Sequence, residues 1–158
     1  MGGAAVQLRY GEPPRRHVVS PCMDAARDFD FWVGTWDCSW DGGSGRNVVD
    51  WVCEGRVLRE RFDASAHGLV GTSISVYDAA AGRWVQTWMD SEGSWFHLTG
   101  VMSGGMLDLL TTELDADGYR KRMRFSGIGA ERFLWTWSRS RGDDDWEPLW
   151  AIEYLRSS

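Results

Sequence analysis

Four polar side chains stand where their chemistry would be unusual. Glu60 falls between Leu58 and Phe62, Gln86 and Asp90 alternate with Trp84 and Trp88, and His97 follows Trp95 by two residues. Alternate side chains of an extended strand share a face, so each of these groups is expected on an apolar or indole-bearing face. A carboxyl or imidazole held against apolar walls has a shifted pKa, which is what general acid–base catalysis uses. The expected proton-moving set is Asp90, His97 and Glu60. Gln86 and Tyr77 would orient a ligand between Trp84, Trp88, Trp95 and Trp135, whose faces stabilise developing positive charge. A turn near Glu92 pairs residues whose numbers sum to roughly 183–185, which sets His97 across a hairpin from Gln86. Ser73 and Ser75 share the same face and make room for a ligand, and Lys121 belongs to an inward or rim row. The competing reading is structural: Gln86 and Asp90 accept from indole N–H groups, and Glu60 pairs with an arginine or with Lys121.

Other chemistries find less support. The histidines His17, His67 and His97 show no metal-ligand spacing with one another or with a carboxylate, so no metal is expected. Cys38 and Cys53 have no neighbouring histidine to activate them as nucleophiles. With Cys22 they make an odd count without CxxC spacing, which reads as reduced thiols, although Cys38 and Cys53 on adjacent strands leave a disulfide open. Asp143, Asp144 and Asp145 lack the alternation and distal Glu of a calcium loop and read as a solvated hairpin tip.

The elements that would position these groups are strands. Alternating runs are expected near residues 29–41, 47–54, 56–63, 70–78, 83–90, 94–101, 106–114, 119–126, 132–140 and 146–156. Between them stand turn signals such as Asp41-Gly42-Gly43, Ser91-Glu92-Gly93 and Asp117-Gly118. In the first run Trp32, Trp36, Cys38 and Trp40 share a face. In the eighth, Arg120, Arg122 and Arg124 form a row that must meet water. Pro148 interrupts the last run early. A short helix over residues 21–28 is predicted by Ser20 as cap, Pro21 at the first helical position and Asp24 in the first turn. Residues 1–20 read as a flexible arm and residues 21–158 as one domain. Short consecutive hairpins favour an all-β, up-and-down antiparallel barrel of about ten strands, its end closed by the helix, over a two-sheet sandwich. A barrel wider than eight strands has interior room for a ligand.

The totals agree with a globular domain. Of 158 residues, 43% are hydrophobic and 25% charged. The net charge of −6 argues against non-specific nucleic-acid binding. No apolar run has the ~20 residues of a membrane helix, and residues 1–19 lack an apolar signal region, so the expected location is the cytoplasm. Eleven tryptophans are too many to bury with their N–H groups unpaired, at about 1–3 kcal/mol each, which favours a lined cavity over a solid aliphatic core.

Several segments carry a resemblance. Phe29-Asp30-Phe31-Trp32-Val33-Gly34-Thr35-Trp36-Asp37 and Trp84-Val85-Gln86-Thr87-Trp88-Met89-Asp90 followed by Gly93 are the most specific. Residues 55–60, Gly71-Thr72-Ser73 and residues 137–146 add to them, though Arg141-Gly142-Asp143 departs from the usual Asp-Gly-Gly order. Over roughly residues 22–156 the chain resembles a bacterial family of calycin-like barrels of unassigned function. That resemblance implies a fold related to lipocalins, fatty-acid-binding proteins and nitrobindin, and implies little about chemistry. A nitrobindin-like haem site would need an axial histidine late in the chain, and none follows His97.

The resulting expectation is a cofactor-independent cyclase, isomerase or lyase acting on an apolar, polycyclic type of small molecule. The alternative is a carrier of a small hydrophobic ligand without turnover. Neither nucleic acid nor membrane is an expected partner. A homodimer is left open.

Overall fold

In the computed structural model, residues 25–142 and 144–158 are described. The expected arm, most of the expected helix, Cys22, His17 and Asp143 lie outside them. Ten strands follow in order: β1 (Gly34–Trp40), β2 (Gly43–Val52), β3 (Val57–Ala64), β4 (Leu69–Asp78), β5 (Arg83–Asp90), β6 (Trp95–Ser103), β7 (Met106–Thr111), β8 (Arg120–Ser126), β9 (Arg132–Ser140) and β10 (Glu147–Arg156). Each pairs antiparallel with the next, and β1 also pairs with β10, so the sheet is a closed up-and-down barrel. Closure removes both sheet edges, the exposed pairing sites of an open sheet.

The strands form where alternation is clean. In β3, Leu58, Glu60, Phe62 and Ala64 point inward, and Arg59, Arg61 and Asp63 point out. The arginines of β8 lie outside as expected. Arg124 makes a two-pronged bond to Asp108 on β7, at 2.6 Å for both Nε and Nη2. Such part-exposed pairs contribute at most about 1 kcal/mol. Pro148 coincides with a register shift in the β9–β10 ladder between Pro148 and Trp150.

Several boundaries differ from expectation. Ahead of β1 the chain forms two 3-10 turns, Ala25–Arg27 and Asp30–Trp32, and the strand starts only at Gly34. Trp32 is therefore not on the strand, although it is buried like Trp36 and Cys38. β2 stops at Val52, because Cys53 and Glu54 turn with φ of 50° and 57°. Cys38 lies inside the barrel and Cys53 on that outer turn, and both are free thiols, so they do not pair. β7 ends at Thr111, three residues short of the expected end.

Among the described residues, the barrel is filled from one end. Phe29, Phe31 and Trp32 enter it before β1. Phe29 meets Trp84 and Phe125 edge-on at 4.7 and 5.5 Å, and Trp32 meets Phe125 at 5.1 Å. Trp36 packs edge-on against Phe133 at 4.8 Å and donates its indole N–H to the Trp32 carbonyl at 2.8 Å. Trp84 donates to the Ala25 carbonyl at 3.0 Å. Each large apolar side chain buried this way contributes about 1.5–3 kcal/mol. Arg156 fastens the plug to the last strand: Nε donates to the Ala130 carbonyl at 2.8 Å and Nη1 to the Val33 carbonyl at 3.1 Å, while the guanidinium lies 4.2 Å above Trp36.

Candidate functional site

The opposite end of the barrel holds a cavity of about 230 Å³. Its wall is aromatic because strands from all round the barrel turn their inward positions toward it. Trp88 on β5 lies 6.3 Å from Phe62 on β3, Phe62 6.1 Å from Trp150 on β10, and Trp150 5.6 Å from Trp135 on β9. Trp135 stacks 6.3 Å from Trp137, and Trp137 lies 5.2 Å from Phe96 on β6. Phe96 is the direct cross-strand partner of Trp88 in the β5–β6 ladder, so the six residues follow one another round the cavity as a belt. Leu98, Met123, Ile152 and Tyr154 line the cavity with them.

Glu60 also lines the cavity, and only 5% of its surface is exposed. Among the described residues no cation meets it: Oε1 accepts from Asn47 Nδ2 at 2.8 Å and Oε2 from the Ser73 hydroxyl at 2.5 Å. The expected ion pair with an arginine or Lys121 is replaced by two neutral donors. Burial raises the Glu60 pKa to about 7, against the pull of the Ser73 and Asn47 hydrogen bonds. Burial also raises Tyr154 well above its ordinary value and lifts the Cys38 thiol to about 12. Both are therefore neutral around pH 7. Of these three neighbours, Glu60 alone changes charge near neutrality, and Cys38 is no thiolate nucleophile.

The other expected site residues separate into three groups. Trp88, Trp135 and Asp90 join Glu60 at the cavity. Asp90 is already committed: Oδ2 accepts from Trp88 Nε1 at 2.9 Å, and Oδ1 accepts from the Glu92 and Ser94 amides, both at 3.0 Å. Burial works to raise its pKa, but the Trp88 and backbone donors outweigh that and hold it below the ordinary value. Asp90 thus builds the β5–β6 turn and fixes the Trp88 indole.

A second group lies within the wall or the plug. Ser73, Ser75 and Gln86 are fully buried, and Ser73 meets the cavity only through Glu60. Gln86 Nε2 donates to Ser75 at 2.9 Å, and its buried Oε1 has no partner among the described residues, so Gln86 takes no indole N–H from them. Trp84 and Tyr77 pack on each other, 5.6 Å apart, at the plugged end.

The third group is outside. Gln86 pairs with Leu98, and His97 pairs with Thr87, at 3.3 Å between Thr87 Oγ1 and His97 Nδ1. This corrects the expected face of β6 by one residue: Phe96, Leu98 and Gly100 face in, and Trp95, His97 and Thr99 face out. Trp95 is 67% exposed. Trp95 and His97 instead line a separate recess of about 220 Å³ beside residues 111–115, which Lys121 also lines from the inward row of β8, in phase with Met123 and Phe125 as expected. There Lys121 Nζ lies 3.7 Å from Asp115 and 4.9 Å above Phe96. His67, the other described histidine, accepts from the Ser44 amide at 3.3 Å. Among the described residues, no three His, Cys, Asp or Glu side chains converge as a metal set.

Residues outside the expected set complete the cavity. Trp137, Trp150 and Tyr154 sit at the inward parity that their alternation already indicated. Asn47 also carried a signal, a polar side chain in phase with Val49 and Trp51 and next to the strand that bears Glu60. Compared with known families and with curated proteins, the chain matches no family model and no curated protein.

Proposed function

We propose that this calycin-like barrel binds a compact, largely apolar small molecule in the belt of Trp88, Phe62, Trp150, Trp135, Trp137 and Phe96, with one polar group of the ligand directed at Glu60. The observation that carries this reading is the belt of six aromatic side chains lining one cavity with one buried carboxyl. A mostly apolar pocket with few convergent polar groups is the usual form of a small-molecule site. At about 230 Å³ the cavity lies below the roughly 300–1,000 Å³ of drug-sized sites, which favours a one-ring ligand over the polycyclic class expected from sequence.

The test is a titration of intrinsic Trp fluorescence with single-ring ligands such as cyclohexanol and phenol. Trp150→Ala and Trp135→Ala are each expected to weaken binding about tenfold, or about 1.4 kcal/mol. Unchanged titrations for both variants would sink the reading.

Turnover is a second reading, favoured by the Glu60 pKa of about 7. A carboxyl poised there can take a proton from one carbon of a bound ligand and return it to another, a cofactor-independent isomerisation. Asp90, tied into its turn, and His97, on the outer face, have no part in this version. Glu60→Gln then abolishes conversion while Trp quenching by ligand persists. Conversion at the parent rate by that variant removes Glu60 as the base.

A further inference from the structure

We infer that the cavity selects an organic cation, a small alkyl- or aryl-ammonium group, rather than a neutral or anionic ligand of the same shape. The inference deepens the binding reading above and rests on it. Every charged side chain lining the cavity is acidic: Glu60 within it, and Asp90 and Glu92 at the turn between β5 and β6. Among the described residues no Lys, Arg or His lines it. Lys121 touches the belt through Phe96 but is paired with Asp115 in the neighbouring recess. The walls contribute four indoles and two phenyl rings. Aromatic faces carry negative quadrupole potential and attract cations, tryptophan most strongly. The low dielectric of an aromatic cage strengthens the attraction further.

The same features act against other ligands. An anion would meet Asp90 and Glu92, and Glu60 when ionised, with no donor side chain of positive charge to offset them. A neutral ligand of the same volume keeps the apolar contacts and loses the cation–π and charge terms. Quaternary ammonium groups suit the site best, because they are weakly hydrated and need no hydrogen-bond acceptor for every face. A primary ammonium would add a charge-assisted bond to Glu60.

The experiment compares three probes of nearly equal shape on the whole protein: choline, its neutral isostere 3,3-dimethylbutan-1-ol, and the anion 3,3-dimethylbutanoate. Binding is followed by calorimetry and Trp fluorescence at about pH 8, where Glu60 is mostly ionised. Choline is expected to bind at least about tenfold more tightly than the alcohol, and the carboxylate weakest. Glu60→Gln should narrow the choline-to-alcohol ratio. Trp135→Leu, which keeps the wall apolar and needs no change at the buried carboxyl, should cost choline more than it costs the alcohol. If the alcohol equals or exceeds choline, the cation inference falls while the binding site stands. If none of the three binds at about 10 mM and phenol also fails, the binding reading falls with it.

Discussion

The Asn47 side chain reaches across β1 to the Tyr154 hydroxyl, 3.3 Å from Nδ2, and so joins β2 to β10 inside the barrel seam. The same nitrogen lies 2.8 Å from Glu60 Oε1, which extends the link to β3. One amide thus serves both a closure of the barrel and the carboxyl of the cavity. Asn47→Ala leaves a buried carboxyl with one donor fewer and is expected to cost about 1–3 kcal/mol in urea unfolding. The loss should be larger at about pH 8 than at about pH 5, because the ionised carboxyl needs the donor more. A variant as stable as the parent at both pH values contradicts this.

Stability should fall as pH rises from about 4.5 to about 7. The folded Glu60 binds its proton up to about 7, above its ordinary 4.5, so over that interval the folded state holds more protons than the unfolded one. The stabilisation is complete below the unfolded pKa and lost by the folded one. Its full size is about 3 kcal/mol. Glu60→Gln removes this slope. Asp50, Asp63, Asp90, Asp115 and Glu147, all held below their ordinary values, act in the opposite sense. Their contribution is lost as pH falls through those lowered values, which places maximum stability in the mildly acidic range. Chemical denaturation across pH, parent against Glu60→Gln, reads both limbs. A slope retained in the variant assigns it elsewhere.

Gly71 holds open the space that Trp88 fills. A Cβ there would lie 2.2 Å from Trp88 Cζ2. Gly71→Ala must therefore push the indole from its bond with Asp90 and break the belt. The expected result is a loss of about 1–3 kcal/mol in stability and weaker binding of any cavity ligand. Parent-like affinity would show that Trp88 is not a binding wall.

At the plugged end, Gly34 has φ of +138° and lies under Arg156, whose Nη1 would be 2.3 Å from an added Cβ. Gly34→Ala and Arg156→Lys should each destabilise by about 1–3 kcal/mol, since lysine cannot reproduce the guanidinium fork on the Val33 and Ala130 carbonyls. Both changes disturb one contact, so the double variant should cost less than the sum of the two. Strict additivity in a double-mutant cycle would separate them.

The alternation of Leu58-Arg59-Glu60-Arg61-Phe62 was enough to place Glu60 inside, and the Gly-rich turns were enough to count ten strands. β6 was not legible in this way. Trp95, Phe96, His97, Leu98 and Thr99 put bulky or apolar groups at both parities, so either face could be inward. Its face is set by the register of the β5–β6 hairpin, which depends on Asp90 accepting from two turn amides. Nor does alternation say which end of a barrel is filled. Phe29 and Trp32 settle that by entering from the β1 side, which leaves Trp84 in the plug and Trp88 at the cavity, although they stand only four positions apart. Asp90 read as an acid because of its indole neighbours, and those neighbours are the reason it is held as a structural acceptor instead.

The seam between β1 and β10 has a consequence for how the chain is made. β1 pairs with residues near the far end, Trp36 with Arg156 and Ser39 with Glu153. During synthesis nine strands can emerge and pair in hairpins while β1 and β9 still present open edges. Only the arrival of β10 covers both. Until then the nascent sheet offers two bare pairing surfaces to any neighbouring chain. A polypeptide halted before residue 147 should consequently self-associate, where the complete barrel has no edge to offer.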